Sequence, residues 1–106
     1  MNGKCPDKLG GANVIAYAIV GDSNRHTGKT KQIVAGKLMG GASAMVIAQY
    51  EGESSYYVFG CYSDEWQSMT DTWHEDLDDA VAQLDWEYED LSRSLIWYMK
   101  PADLAE

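Results

Sequence analysis

The chain has 106 residues, of which 45% are hydrophobic, and a formal net charge of −9 from eight basic and seventeen acidic side chains. This length fits one domain with its own hydrophobic core, and the hydrophobic content excludes a wholly disordered chain. The negative charge argues against direct binding to DNA or RNA, and the lack of an apolar run of about 20 residues argues against a membrane span.

The first third of the chain predicts a flexible start followed by β-structure. Residues 1–11 are polar and rich in glycine, so we expect a flexible tail. The β-branched run Asn13–Val20 predicts the first strand, with apolar residues on both faces. Gln32–Met39 has two interpretations, a second strand or a short helix, because Gly36 weakens the strand pattern.

Three more strands are predicted, which makes residues 12–72 mostly β. They are Ala44–Tyr50, Tyr56–Tyr62 and Trp66–Thr72, with turns between them. Both faces of Tyr56–Tyr62 are apolar or aromatic, and one helix covers only one face of a sheet. The second face therefore needs a cover, either from curling of the sheet, from the C-terminal segment or from another chain.

Residues 77–91 predict an amphipathic α-helix, capped by Asp76 and carrying acidic residues in its first turn. Its apolar side chains form one stripe, which consists of Leu77, Ala80, Val81, Leu84, Tyr88 and Leu91. The apolar segment 95–99 predicts either an edge strand or a segment folded back over the helix. The predicted fold for residues 1–106 is a single α+β domain, in which a meander of about four to five antiparallel strands is covered on one face by one C-terminal amphipathic helix.

Cysteine usage and the N-terminal composition give expectations about chemistry and location. Cys5 and Cys61 form no Cys-x-x-Cys pair, and Cys61 lies in a strand, so we expect a buried thiol rather than a nucleophile. Residues 1–10 lack a basic segment followed by an apolar stretch, which predicts a cytoplasmic protein. No motif indicates a cofactor.

Residues 44–91 carry a recognisable series of short motifs. These are Ile47-Ala48-Gln49-Tyr50, Tyr57-Val58-Phe59-Gly60-Cys61, Trp66, Thr70-Asp71-Thr72-Trp73-His74 and the acidic helix from Leu77 to Tyr88. The series resembles a group of small bacterial proteins of unknown function. The resemblance implies a bacterial source and a compact β-then-α unit, but it implies no activity. By analogy of size and charge alone, many small acidic bacterial proteins are immunity proteins or inhibitors.

Charge is distributed unevenly along the chain. From Leu38 to Ser92 there is no lysine or arginine, while thirteen aspartates and glutamates occur. Residues 1–37 instead contain six basic and two acidic side chains. This polarity favours a basic protein as the partner.

One aromatic residue stands out against this acidic background. Trp86 is predicted on the solvent side of the helix, together with Asp79, Glu89 and Asp90. Tryptophan flanked by carboxylates is typical of an interaction site for a basic partner. The alternatives are that segment 95–99 covers Trp86 or that a homodimer does.

A second candidate site lies just before the helix. His74 is close in sequence to Asp71, and a histidine beside carboxylates can bind a metal or act as a base, with His26 as the other imidazole. A structural role, hydrogen bonding around the strand-to-helix turn, is the competing interpretation. We therefore predict a protein-binding module of immunity or inhibitor type rather than an enzyme. The alternatives are a homo-oligomeric protein and a small ligand- or metal-binding domain that uses His74 and Asp71.

Overall fold

A computed structural model describes residues 1, 3–29, 33–34, 37–38 and 41–98. The strands are β1 (Lys8–Leu9), β2 (Ala12–Ile19), β3 (Ile33–Val34), β4 (Lys37–Leu38), β5 (Ala44–Gln49), β6 (Tyr56–Cys61), β7 (Ser68–His74) and β8 (Ile96–Trp97). One α-helix, α1 (Leu77–Glu87), and one 3-10 helix, Leu91–Ser94, follow β7.

Six strands form one antiparallel sheet in the order β1-β2-β5-β6-β7, with β8 also paired to β2. The long strands that lie next to each other in the sheet also follow each other along the chain, and only the small β3–β4 pair is inserted between β2 and β5. The sheet is therefore a meander. The register shifts between Val14 and Ala16, which places an extra residue in β2 and bends it. The predicted α+β meander with one helix on the sheet is confirmed.

The helix α1 begins where the sequence predicts, but it ends four residues early. The backbone N–H of Asp79 donates to Asp76 Oδ1 at 2.8 Å, which caps the first turn. Tyr88 is extended, with φ −137° and ψ 132°, because its hydroxyl accepts from the Ala42 N–H at 2.6 Å and its backbone bridges to His26. These tertiary contacts override the helical pattern expected for 88–91. Of the helices in the described residues, none is long and apolar enough to cross a membrane.

The main core lies between α1 and one face of the sheet, called here the helix-covered face. The helix contributes Leu77, Ala80 and Leu84, of which Ala80 and Leu84 are fully buried. Their sheet partners alternate along the strands, as in Met45 and Ile47 of β5. The part of the predicted stripe that lies within α1 therefore faces the sheet.

The part of the second face formed by β2, β5 and β6 is covered by the chain itself. Cys5 and Leu9 are 2% and 6% exposed and pack against Val14, Phe59 and other apolar residues of this face. β1 pairs with β2 through Lys8–Asn13 and Leu9–Ala12. Within residues 3–11, part of the range where the sequence predicts a flexible tail, buried apolar residues are thus interspersed among the glycines.

A group of aromatic rings adds to that cover. Trp66 lies in the loop before β7, and its ring meets Tyr17 edge-on at 5.4 Å. Tyr98 meets the same Tyr17 ring at 5.4 Å, and its hydroxyl donates to the Cys5 carbonyl. The strand predicted over Trp66–Thr72 instead spans Ser68–His74. Trp66 lies before it, because its side chain packs on the apolar residues of the second face.

The C-terminal segment forms the predicted edge strand rather than a cover for the helix. In β8, Trp97 pairs with Ala16 and Ile96 pairs with Tyr17, and the Tyr98 N–H donates to the Ile15 carbonyl at 2.8 Å. Met99 lies outside the described residues. Within Gln32–Met39, the described parts are the two short strands β3 and β4, and the other four positions lie outside the described residues.

Both cysteines are free, and their burial predicts a pH-dependent stability. Burial is the largest cause that raises the pKa of the Cys5 and Cys61 thiols from 9.0 to about 11. The unfolded chain then loses these protons first as the pH rises. We expect the free energy of unfolding to be intact below pH 9 and to fall toward pH 11, by about 2–3 kcal/mol per thiol at the limit.

Urea unfolding at pH 8 and at pH 10.5 measures this loss. The variant Cys5→Ala/Cys61→Ala is the control, and it should lose less stability between the two pH values. Tyr62, which is partly buried, and Tyr88, which is buried, also have raised pKa values, chiefly from burial, and contribute the remainder. Equal losses in the two proteins would contradict the assignment to the thiols.

Candidate functional site

A shallow groove of about 180 Å³ runs along the outer side of α1. It is lined by Asp79, Ala82, Gln83 and Trp86. The last three of these residues follow Asp79 by three, four and seven positions, so all four form one stripe along the helix. The side chain of Asp79 is 63% exposed and Trp86 is 49% exposed, which gives the groove a carboxylate at one end and an indole at the other.

A cation from the chain itself already lies on the indole. The Lys29 Nζ is 4.6 Å from the centroid of the Trp86 ring, which is within the range of a cation–π interaction. The described part of segment 95–99 instead packs on the sheet. The partial cover of Trp86 therefore comes from the loop before β3 and not from the C-terminal segment.

Glu89 and Asp90 do not share the groove. They follow the end of α1, and Asp90 adopts a left-handed conformation with φ 56°. Asp90 Oδ1 lies 3.9 Å from Arg93 Nε, and the Glu89 backbone bonds to Asn24 and Arg25. Of the four residues predicted to bind a partner, the structure brings Asp79 and Trp86 together and places the other two in the following turn.

His74 is buried at 5% exposure and joins β7 to α1. Its Nδ1 donates to Asp79 Oδ2 at 2.7 Å, because a carboxylate can only accept. Its Nε2, which then accepts in the neutral ring, lies 2.6 Å from the Thr72 hydroxyl. The histidine thus links a strand side chain to a carboxylate of the groove.

This chain of hydrogen bonds has the order of a hydroxyl–histidine–carboxylate triad, but its exposure is reversed. In a nucleophilic site the hydroxyl is open to substrate and the carboxylate is buried. Here Thr72 is partly buried on the helix-covered face, while Asp79 is largely exposed. The arrangement therefore suits a tie between strand and helix, which also fixes the position of the Asp79 carboxylate.

The alternative site of His74 with Asp71 is not assembled. The two residues occupy opposite faces of β7, since Asp71 pairs with Phe59 of the second face and His74 pairs with Tyr56. His26 lies at the other end of α1, where its ring contacts Tyr88 at 5.1 Å. Among the described residues, no group of three histidine, cysteine or acidic side chains could hold a metal ion.

Two exposed apolar residues on β7 were missed by the sequence analysis. Trp73 is 58% exposed and Met69 is 41% exposed, and both lie on the second face, flanking Asp71. Within the described parts of the chain, β7 pairs only with β6, so it is an edge strand. The alternation of β7 would have exposed Trp73, but the predicted strand ended one residue before it.

Glu87 was also missed, because a glutamate in a helical stripe is normally expected to be solvated. It is 2% exposed and accepts from Gln83 Nε2 at 2.9 Å. Gln83 therefore connects the groove to a buried carboxylate one turn along the helix.

No family model, curated protein or solved structure matches this chain. The resemblance to a group of small bacterial proteins accordingly stays a prediction. One reason for expecting a homodimer, an uncovered second face, is weakened because the N-terminal segment, Trp66 and Tyr98 cover the part over β2, β5 and β6. The part on β7, with Trp73 and Met69, stays exposed. The homodimer itself also stays a prediction.

Proposed function

We propose that the protein is a small acidic protein-binding module, of the kind that neutralises a partner by masking a basic surface. The observation that carries the proposal is the groove on α1, which has an exposed indole that already holds a cation at one end and an exposed carboxylate at the other. A cytoplasmic location and a bacterial source are part of the proposal and rest on the sequence alone.

The charge of the surface supports this proposal. Of the thirteen acidic residues between Leu38 and Ser92, all except Glu87 are exposed. No lysine or arginine occurs in that stretch to neutralise them. Such a field raises the rate of association with a basic protein and repels an acidic one.

The groove adds what charge alone lacks, namely desolvated contact. Tryptophan is enriched among the residues that dominate binding energy, particularly where polar groups surround it. Asp79 is held in place by the bond from His74, so it loses little side-chain freedom when a partner's cation pairs with it. Trp86 and Asp79 are thus suited to act as a contact pair.

The test is capture of partners from a bacterial lysate on immobilised protein, followed by affinity measurement with the purified basic protein that is retained. We expect Trp86→Ala to weaken binding by roughly 30-fold or more, about 2 kcal/mol. Raising the salt from 50 to 200 mM should weaken the wild type by about tenfold.

Trp73→Ala is the matched control, because it removes a tryptophan of comparable exposure, 58% against 49%, from the opposite side of the sheet. It should leave the affinity within about twofold, as expected for a residue outside the interface. Binding that resists both salt and Trp86→Ala would refute the proposed surface.

A further inference from the structure

We propose that Lys29 is an internal occupant of a cation site on the Trp86 ring, and that an arginine or lysine of the partner takes its place. The inference rests on the proposed function and specifies its chemistry: the partner inserts a cationic side chain at the C-terminal end of the groove.

The backbone of residues 24–29 delivers Lys29 to this position. The Thr27 N–H donates to the Glu87 carbonyl at 2.9 Å, and the Thr27 hydroxyl donates to the Trp86 carbonyl. The Glu89 N–H in turn donates to the Arg25 carbonyl at 2.9 Å. The loop is therefore fixed to the end of α1 without any contribution from the lysine side chain.

The electrostatics at this end of the helix favour a cation from any source. Backbone carbonyls give the C-terminus of a helix a partial negative charge, and the last turn of α1 contains no basic residue. Trp86 lies in that last turn, where its ring quadrupole attracts a cation from its face. Lys29 supplies that cation by a contact made entirely between side chains.

The exchange of cations is feasible because the Lys29 and Trp86 side chains are both exposed. Lys29 is exposed, Trp86 is 49% exposed, and the lysine side chain can swing into water while the loop remains attached through its backbone. Arginine is the better replacement, since its planar guanidinium stacks on an indole and is less strongly hydrated than an ammonium. Asp79, seven residues earlier and about 10 Å along the helix axis, can then pair with a second cation of the same partner.

The test uses a fluorescein-labelled octa-arginine peptide as the probe and Lys29→Gln as the variant. Removing the internal competitor should tighten binding more than removing another positive charge does. We therefore compare Lys29→Gln with Arg25→Gln, which loses the same charge from an exposed residue of the same loop. Lys29→Gln should bind about two- to fivefold more tightly than Arg25→Gln by fluorescence anisotropy.

A direct readout accompanies the affinities. In the free protein the Lys29 ε-protons should be shifted upfield by the ring current of Trp86, and addition of octa-arginine should return them toward their ordinary position. Equal affinities of the two variants, or weaker binding by Lys29→Gln, would overturn the exchange, as would an unchanged lysine signal at saturation. Octa-arginine binding that Trp86→Ala leaves intact would instead show that the proposed function fails at this surface, and no binding at all would overturn both.

Discussion

Leu84→Asp is expected to abolish cooperative folding. Leu84 is fully buried at the centre of the stripe that α1 packs on the sheet. Removing its side chain alone costs about 2–5 kcal/mol, and a buried carboxylate without a partner adds several more. Since small domains are stable by about 5–15 kcal/mol, this loss takes most or all of the stability. Circular dichroism during urea unfolding measures it.

Two control variants separate the cost of burying a charge at position 84 from the cost of the charge itself and from the cost of a changed side-chain shape. Ala82→Asp adds the same charge two residues away, at an exposed position on the other side of the helix, and should cost less than about 1 kcal/mol. Leu84→Met keeps the volume and should cost less than about 1.5 kcal/mol. If the free energy of unfolding of Leu84→Asp were within about 1 kcal/mol of the wild-type value, Leu84 could not be packed between α1 and the sheet.

Gly60→Val is expected to destabilise the protein by about 3 kcal/mol, at the upper end of the cost of overpacking. Gly60 is buried in β6 beneath the Tyr62 ring. A β-carbon there would lie 2.5 Å from Thr70 Oγ1 and 2.8 Å from Tyr62 Cε1, and the Thr70 hydroxyl donates to the Tyr62 hydroxyl at 3.3 Å. The ring must move, which breaks this bond and exposes the core below it.

Gly41→Ala is the matched control for this effect. A β-carbon at Gly41 has no atom within 4 Å, and its backbone does not require glycine. Thermal unfolding should therefore show an unchanged midpoint for Gly41→Ala and a drop of more than 10 °C for Gly60→Val. Similar midpoints for the two variants would mean that Tyr62 does not cover Gly60.

The elements that could be predicted are those whose signal is local. The strands around Met45 and Val58 and the start of α1 follow from β-branched runs, from the Asp76 cap and from helical spacing, all of which act within a few residues. The burial of Cys5 and the early end of α1 at Glu87 could not be predicted, because each depends on contacts with distant parts of the chain.

The candidate site divides in the same way. The exposure of Asp79 and Trp86 on one side of α1 follows from a spacing of seven residues. Their links to His74 and Lys29 arise only when β7 and the loop at 24–29 fold against the helix, and no periodicity records such pairings. The opposite placement of Asp71 and His74 would have followed from strand alternation, had the strand been extended to His74.

The pairing of β8 with β2 determines when this protein can finish folding during its synthesis. β2 is synthesised well before β8, yet part of its outer edge acquires hydrogen bonds only from residues 96–98. A nascent chain that ends before Ile96 therefore presents an apolar strand with one open edge, which is a template for pairing with other chains. We infer that the native sheet is completed only after residues 96–98 have been synthesised, and that chains lacking these residues are the species most exposed to aggregation.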